Sequence, residues 1–396
     1  MRPKLSVRDL TDLAGRRVWC RVDFNVPLGS GRVTDDTRIV ASLPTVRRLL
    51  DARARVVLAS HLGRPKGRPR QELSLAPVAS RLAALLGRPV GFAPACVGDE
   101  AMRAVAACAD GDAVLLENLR FHPEEEANDP VFAEELARLG DLYVNDAFGT
   151  AHRAHASTVG VPGRLKPAAA GLLMESELTH LGELLAAPKT PFVVILGGAK
   201  VSDKIDLIDN LLPRADTFLV GGAMAYTFLA AAGIPVGASL VEKDRLETAR
   251  EIVRRVGAAG KSLVLPEDHV VAIPGDDTHP RTTPGPEIAA GDAGMDVGPK
   301  TAARFAAAIA GAGTALWNGP VGRFEVAAFS SGSRKVAESL AASHATTVVG
   351  GGDTGAAVQA FGVADRMTHV STGGGASLEF LSGLPLPGVA ALDDAP

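Results

Sequence analysis

Residues 192–212 read FVVILGGAKVSDKIDLIDNLL, and the two halves of this stretch have different periods. Phe192–Leu196 is an unbroken apolar run, as carried by strands buried on both faces, and it stops at Gly197-Gly198. From Val201 onward the apolar residues recur at Ile205, Ile208 and Leu212, which is helical spacing. A strand, a glycine turn and a helix in that order make half of a βαβ unit. The same alternation extends outward in both directions. Short apolar runs stand at 55–60, Ala113–Leu116, 142–145, Thr217–Val220, 262–265, 314–317, 346–349 and 368–370. Each ends in Gly or polar residues, and a helix-patterned segment usually follows. This is the doubly wound α/β pattern with parallel sheets, whose ligands sit at strand C-termini.

A chain of 396 residues exceeds what one core usually holds, so two domains are expected. Residues 171–187 read as an amphipathic helix, with Leu173, Glu177, Leu178, Leu181, Leu184 and Leu185 near one face, and Pro188 and Pro191 close it. It is the expected connector, giving domains 1–171, with the tail 384–396, and 172–383. Residues 274–294 are rich in Pro, Gly and Asp and read as an irregular surface loop; the tail from Pro385 has no strong pattern. Mean hydropathy of +0.15 describes an ordered globular protein. An aromatic share of 4% argues against stacking platforms for nucleic acid. No run of about 18 apolar residues marks a membrane span, and the first residues lack a signal-peptide core. Cys20, Cys96 and Cys108 are scattered and odd in number, which argues for a reducing compartment and against structural zinc. A soluble cytoplasmic protein with no nucleic-acid or membrane partner is expected.

The loops after the strand-like runs fall into two classes. Before about residue 170 they carry Arg and His: Asp23, Phe24 and Asn25 beside Arg21; His61, Leu62, Gly63 and Arg64; Arg120; and Arg153 between His152 and His155. After it they are Gly-rich: Gly197-Gly198, Gly221-Gly222, Gly350-Gly351-Gly352-Asp353-Thr354 and Gly373-Gly374-Gly375. Charge divides the same way. Residues 1–170 hold 24 Lys/Arg against 20 Asp/Glu, leaving 17 against 25 of the totals 41 and 45. Guanidinium forks suit a small, multiply charged anion, and backbone amides at helix starts suit a nucleotide's phosphates. One chain with both points to phosphoryl transfer between them.

Within the second set, Lys200 and Lys204 stand four apart and are expected at the first turn of one helix, an unfavourable end for cations unless an anion sits between them. The bland alternative is two solvated lysines. Gly350, Gly352 and Gly355 match G-x-G-x-x-G, but the next strand ends in Ser371 and Thr372, with no acid for a ribose. Asp353 suits Mg²⁺ held jointly with phosphates, or else a helix N-cap. Gly373, Gly374 and Gly375 offer amides to a developing negative charge or else form an ordinary flexible loop, and Glu325 offers an acceptor to ribose hydroxyls or else is simply solvated. No activated Ser or Cys nucleophile and no kinase-type catalytic base is legible. A carboxylate acceptor needs none, being already ionised, so positioning and charge neutralisation suffice and acyl-phosphate chemistry is favoured. A dinucleotide-dependent dehydrogenase would leave the Arg loops unexplained.

At this level of detail the chain resembles the phosphoglycerate kinase family over essentially its whole length. RVDFNVP (21–27), SHLGRPKG (60–67), LLENLRF (115–121), YVNDAFGTAHRAHAST (143–158), ILGGAKVSDKI (195–205), WNGPVG (317–322), GGGDT (350–354) and STGGGASLE (371–379) follow in family order. The resemblance implies reversible transfer between 1,3-bisphosphoglycerate and MgADP, giving 3-phosphoglycerate and MgATP; a monomer is the default expectation. It implies two Rossmann-like lobes that close about a hinge, the first binding phosphoglycerate and the second the nucleotide. By matching position, Asp23, Phe24, Asn25, Arg38, His61, Leu62, Gly63, Arg64, Arg120 and Arg153 would hold phosphoglycerate. Lys204, Gly294, Glu325, Gly351, Gly352, Asp353 and Thr354 would hold the nucleotide, with Asp353 at the metal. Arg38, Lys200, Gly373 and Gly374 would serve the transfer itself. Arg323 departs from the family's usual small apolar residue, residues 291–295 lack its Trp, and His269 and Ser333 are also atypical.

Overall fold

In the computed structural model, which describes residues 2–395, the strand Arg17–Val22 has a parallel neighbour on each side. Its sheet has six parallel strands in the order Gly91–Ala93, Ala113–Leu116, Arg55–Ala59, Arg17–Val22, Leu142–Asp146, Ala168–Ala170. Order and chain sequence disagree at Arg17–Val22, whose neighbours lie on opposite sides, so the polypeptide winds outward in both directions from it. Burial explains the run-like sequences: Val56, Val57, Leu58 and Ala59 are all fully buried, as are Leu142, Tyr143 and Val144. Side chains on both faces of such a strand meet helices, so apolar residues need not alternate.

A second six-stranded parallel sheet runs Ser262–Val264, Thr217–Val220, Phe192–Leu196, Thr314–Asn318, Thr346–Gly350, His369–Val370. The α/β expectation is met by both sheets. Three strands of the first sheet were not legible from apolar runs: Gly91–Ala93 and Ala168–Ala170, of three residues each, and the longer Arg17–Val22, which carries two arginines. A correction falls on 274–294. Arg281–Thr282 and the start of Ala293–Val297 belong to a three-stranded antiparallel sheet with His269–Ala272. Its polar outer residues hide the pairing that backbone hydrogen bonds supply.

The chain forms two compact units, one of residues up to Thr179 together with those from Pro385 on, the other His180–Leu384. The division falls inside the helix Leu172–Ala186, not ahead of it at 171/172. The reason is local. Leu172 N–H donates to Thr45 Oγ1 (2.8 Å), Leu173 N–H to Asp146 Oδ1 (2.9 Å), and Ser6 Oγ–H to Glu175 Oε2 (2.7 Å). These bonds tie the first turns to the first unit. The tail, patternless in sequence, is held by Leu5 N–H to Asp393 O and by Lys4 Nζ to Asp394 (2.7 Å), and contains the short helix Pro387–Ala390. No helix among the described residues is long and apolar enough to cross a membrane.

Asp146 is fully buried, and burial pushes its carboxyl up to about 7. A carboxyl with a folded value of about 7 and an unfolded one near 4 binds its proton more tightly when folded, so its contribution to stability falls as pH rises between those values and is level above them. Asn keeps the helix-capping oxygen without the titration. Asp146→Asn should therefore gain stability relative to wild type by about 1.4 kcal/mol per pH unit between pH 5 and 7. Urea denaturation at pH 5, 6, 7 and 8 checks this, and a difference that does not change with pH would refute it.

Candidate active site

In the first unit the parallel strands place their C-terminal loops along one edge of the sheet. Asp23 and Asn25 follow Arg17–Val22, and alternation sends Phe24 and Val26 into the core. Asn25 Oδ1 accepts from Gly63 N–H (2.8 Å), in the loop after the neighbouring strand. Gly63 O accepts from an Arg120 guanidinium (3.0 Å), and Asn118 bonds both Leu62 N–H (3.1 Å) and Leu62 O (2.8 Å). Arg38 Nη1 donates to Asp23 Oδ2 (2.6 Å), with the Arg38 side chain 39% exposed. Asn25 N–H donates to Asp23 Oδ1 (3.2 Å), so Asp23, Asn25, Arg38, Gly63 and Arg120 form one bonded group, with His61 and Leu62 in the chain next to Gly63. Phe24 is its apolar footing: the side chain is fully buried and its N–H donates to Ser60 Oγ (2.9 Å). Arg64 is exposed, and Arg153 Nε donates to His152 Nε2 (3.1 Å).

Beneath this group lies a polar network that the sequence did not single out. Arg21 is fully buried, donates to Ser157 Oγ (2.9 Å) and reaches His61 Nδ1 (3.1 Å); Ser157 in turn donates to buried Glu125 (2.5 Å). Burial first, then Arg21, Arg120 and Arg38, hold the His61 imidazole well below its ordinary value, so it is neutral at pH 7. With Arg21 donating to Nδ1, the ring proton is on Nε2. His155 is lowered to about 3 by burial and the same guanidinium field, and lies 3.8 Å from Glu125. Arg120 is lowered to about 10, mainly by burial, and stays cationic at neutral pH. The cationic charge of this edge therefore rests on guanidinium groups, with neutral imidazoles among them.

In the second unit the Gly-rich loops divide by what surrounds them. Gly197 and Gly319 are needed for close packing, since a Cβ on either would stand 2.1 to 2.2 Å from a backbone oxygen of the other loop. At Gly198, Gly352 and Gly374, by contrast, an added Cβ meets nothing within 4 Å, so these backbones face open space. A cleft of about 420 Å³ adjoins Gly198 and Asp353 and is walled by Tyr226, Leu240, Met295 and Phe324. Gly294 and Glu325 also line it, and Gly294 has no alternative, because a Cβ would overlap the Tyr226 hydroxyl at 2.0 Å. A larger hollow of about 950 Å³ lies between 31–36 and 77–84, and its Asp36 and Arg81 already pair with each other (2.5 Å).

Several expectations need correction here. The helix after Gly197-Gly198 is Ile205–Leu211, so Lys200 and Lys204 do not share its first turn. Glu242 is the cause: it accepts from Val201 N–H (2.5 Å), Ser202 N–H (3.2 Å) and Ser202 Oγ–H (2.7 Å), fixing a turn ahead of the helix. Lys204 is the N-cap residue, its ammonium bonded to Asn318 Oδ1 and held below its ordinary value chiefly by burial. Lys200 is exposed. The N-cap alternative for Asp353 fails, since Gly351 is the N-cap of Gly352–Ala360 and Asp353 is an exposed first-turn residue. Thr354 is buried and its hydroxyl accepts from Gly319 N–H (2.8 Å), so it supports a neighbouring loop. Gly373 N–H donates to Ser371 Oγ (3.1 Å), while Gly374 remains open. Glu242 had no sequence signal; Asn318 and Arg21 stood inside quoted motifs, but their contacts are tertiary.

A family model described as phosphoglycerate kinase matches residues 7–384. A curated phosphoglycerate kinase of Anaeromyxobacter sp. (strain K) is 56% identical over 394 residues, covering 98% of this chain and 100% of that one. The phosphoglycerate kinase of Chlorobium luteolum is 54% identical over 396 residues, covering 98% and 99%. Among solved structures, phosphoglycerate kinase from Coxiella burnetii superposes with a TM-score of 0.88 at 42% identity, over 98% of each chain.

Proposed function

Because the chain belongs to the phosphoglycerate kinase family, and its reaction is therefore reversible phosphoryl transfer between 1,3-bisphosphoglycerate and ADP, we propose that the two ligands divide between the two units as the side chains divide. The observation that carries the reading is the contrast in edge chemistry: a bonded group of guanidiniums and neutral imidazoles in one unit, open glycine backbone beside an apolar cleft in the other. Phosphoglycerate, with its carboxylate and phosphate, is assigned to Asp23, Asn25, Arg38, His61, Arg64, Arg120 and Arg153. Arg64 and Arg153 offer forks to the anionic groups, and neutral His61 offers its Nε2–H. The nucleotide is assigned to the cleft, with the base against Leu240 and Phe324, ribose at Glu325, and phosphates toward Lys204, Gly351 and Gly352. Arg38 and Lys200 are assigned to the migrating phosphoryl group, and the open backbone at Gly374 to the charge that develops on it. The acceptor carboxylate is already ionised, so no general base is required.

Mg²⁺ enters this reading as part of the nucleotide substrate. Among the described residues no group of three or more His, Cys, Asp or Glu could cage a metal. One exposed carboxylate beside open phosphate-facing backbone suits an ion that takes most of its oxygens from water and phosphates, and Asp353 is that carboxylate. Asp353→Ala should thus weaken MgADP binding by about tenfold and metal-free ADP by much less. Calorimetric titration with and without magnesium checks it; equal weakening would remove Asp353 from the metal. The reading also takes the enzyme as a cytoplasmic monomer, which sedimentation and cell fractionation would test. The activity itself is tested by supplying 3-phosphoglycerate and MgATP and coupling the product to NADH oxidation. No oxidation with active coupling enzyme would overturn the assignment.

A further inference from the structure

Asp296 is 1% exposed, although it belongs to the strand Ala293–Val297 that also carries Gly294 and Met295 of the cleft wall. Its Oδ2 accepts from Gly332 N–H (2.7 Å) and Ser331 Oγ–H (3.3 Å), at the start of the helix Ser331–Ala342, whose own N-cap residue Ser330 makes no capping bond. The carboxylate of one element thus caps another. The loop 319–325 packs against the other oxygen of the same carboxylate: a Cβ on Gly322 would stand 2.0 Å from Asp296 Oδ1, and one on Gly332 2.4 Å from it. Two further bonds complete the junction. Val321 N–H donates to Ser333 Oγ (3.1 Å), and Arg323 N–H donates to Met295 O (3.0 Å). Strand, loop and helix therefore meet at one buried carboxylate, and two of the three carry cleft residues, Gly294 and Met295 on the strand and Arg323, Phe324 and Glu325 on the loop.

We propose that Asp296 is a positioning residue for the nucleotide, fixing the loop that presents Glu325 against the strand that presents Gly294 without touching the ligand. This rests on the nucleotide occupying the cleft. The interaction is a charged acceptor on backbone amides, stronger than a neutral one and costly to leave unmade in a buried place. The charge has no counter-ion. Arg323 pairs with Asp277 (2.8 Å), Arg334 lies over the Phe361 ring, and no ion pair to Asp296 forms among the described residues. Glu325 is exposed on the loop; Tyr226 and His269, from the elements packed alongside, are uncharged, the phenol raised by burial and the imidazole lowered by burial to about 4. Burial accordingly raises the Asp296 carboxyl to about 7. Protonation replaces an acceptor by a hydroxyl and loosens the cap, so nucleotide affinity should improve as pH rises from 6 to 8.

The test compares Asp296→Asn with wild type at saturating magnesium. The expected result is a nucleotide KM raised about tenfold, as for loss of one charged hydrogen bond, with kcat and the KM for 3-phosphoglycerate changed less than threefold. ADP affinity, which improves from pH 6 to 8 in wild type, should be nearly level over that range in the variant once the titration of free ADP is subtracted. Unchanged nucleotide KM with superimposable pH profiles would overturn the proposal, and so would equal rises in both KM values. If Asp296→Asn does not fold, the wild-type profile and Ser333→Ala decide. A level wild-type profile, with ADP affinity intact in Ser333→Ala, overturns it as well. Glu325→Gln separates the premise: if it loses affinity and Asp296→Asn does not, the cleft stands and the positioning role fails. If both are silent, the cleft assignment itself falls.

Discussion

Lys200→Ala should lower kcat by about 10²–10³-fold, the cost of removing one preorganised donor from a charged transition state, while ADP affinity stays within a few-fold of wild type. The structure separates the two lysines that the sequence paired. Lys204 is half-buried and its ammonium is already committed to Asn318 Oδ1. Lys200 is exposed, forms no ion pair among the described residues, and projects from a turn that Glu242 holds rigid through three hydrogen bonds. Its backbone is thus preorganised while its ammonium is uncommitted. In a loose phosphoryl-transfer transition state charge spreads over the equatorial oxygens, and a cation that meets those oxygens only then raises kcat without tightening the ground state. Lys204→Ala should give the complementary result, weaker ADP binding with a smaller effect on kcat. Steady-state kinetics with direct ADP titration checks both. A Lys200→Ala enzyme keeping more than a tenth of wild-type kcat would place the transition-state charge elsewhere.

The difference between these lysines shows where sequence stops being informative. Most strands of both sheets were legible because burial on two faces writes an unbroken apolar run, as in Phe192–Leu196 and Thr217–Val220. Strands too short or too polar to write that run were missed, Ala168–Ala170 and Arg281–Thr282 among them. The candidate site was legible as residue types following strands. Which glycine is open and which is packed was not, because Gly198 and Gly197 are identical in sequence and differ only in whether another loop lies against them. The start of the helix Ile205–Leu211 depended on Glu242, 37 positions beyond the start of that helix and in no pattern with it. Support residues such as Arg21, Glu125 and Asp296 are charged groups that burial alone distinguishes from ordinary surface charges.

Arg38→Ala should lower kcat by at least about 10²-fold, whereas Arg64→Ala should chiefly raise the KM for 3-phosphoglycerate by about tenfold. Both are exposed guanidiniums near the same edge, so composition cannot separate them, but their anchoring does. Arg64 is exposed, forms no ion pair among the described residues, and lies ready to pair with an anion in ground and transition state alike, which is uniform binding. Arg38 is held by Asp23 through one nitrogen (2.6 Å), and the rest of its fork makes no ion pair among the described residues. A cation already partnered by a carboxylate attracts a stable anion weakly, and contributes most where new charge appears. Removing Arg38 also releases Asp23, whose uncompensated charge would repel substrate and raise KM for a reason unrelated to transfer. Asp23→Asn in the Arg38→Ala background removes that repulsion. The KM should then return toward wild type while kcat stays low, and recovery of kcat in the double variant would show that Arg38 acts only by neutralising Asp23.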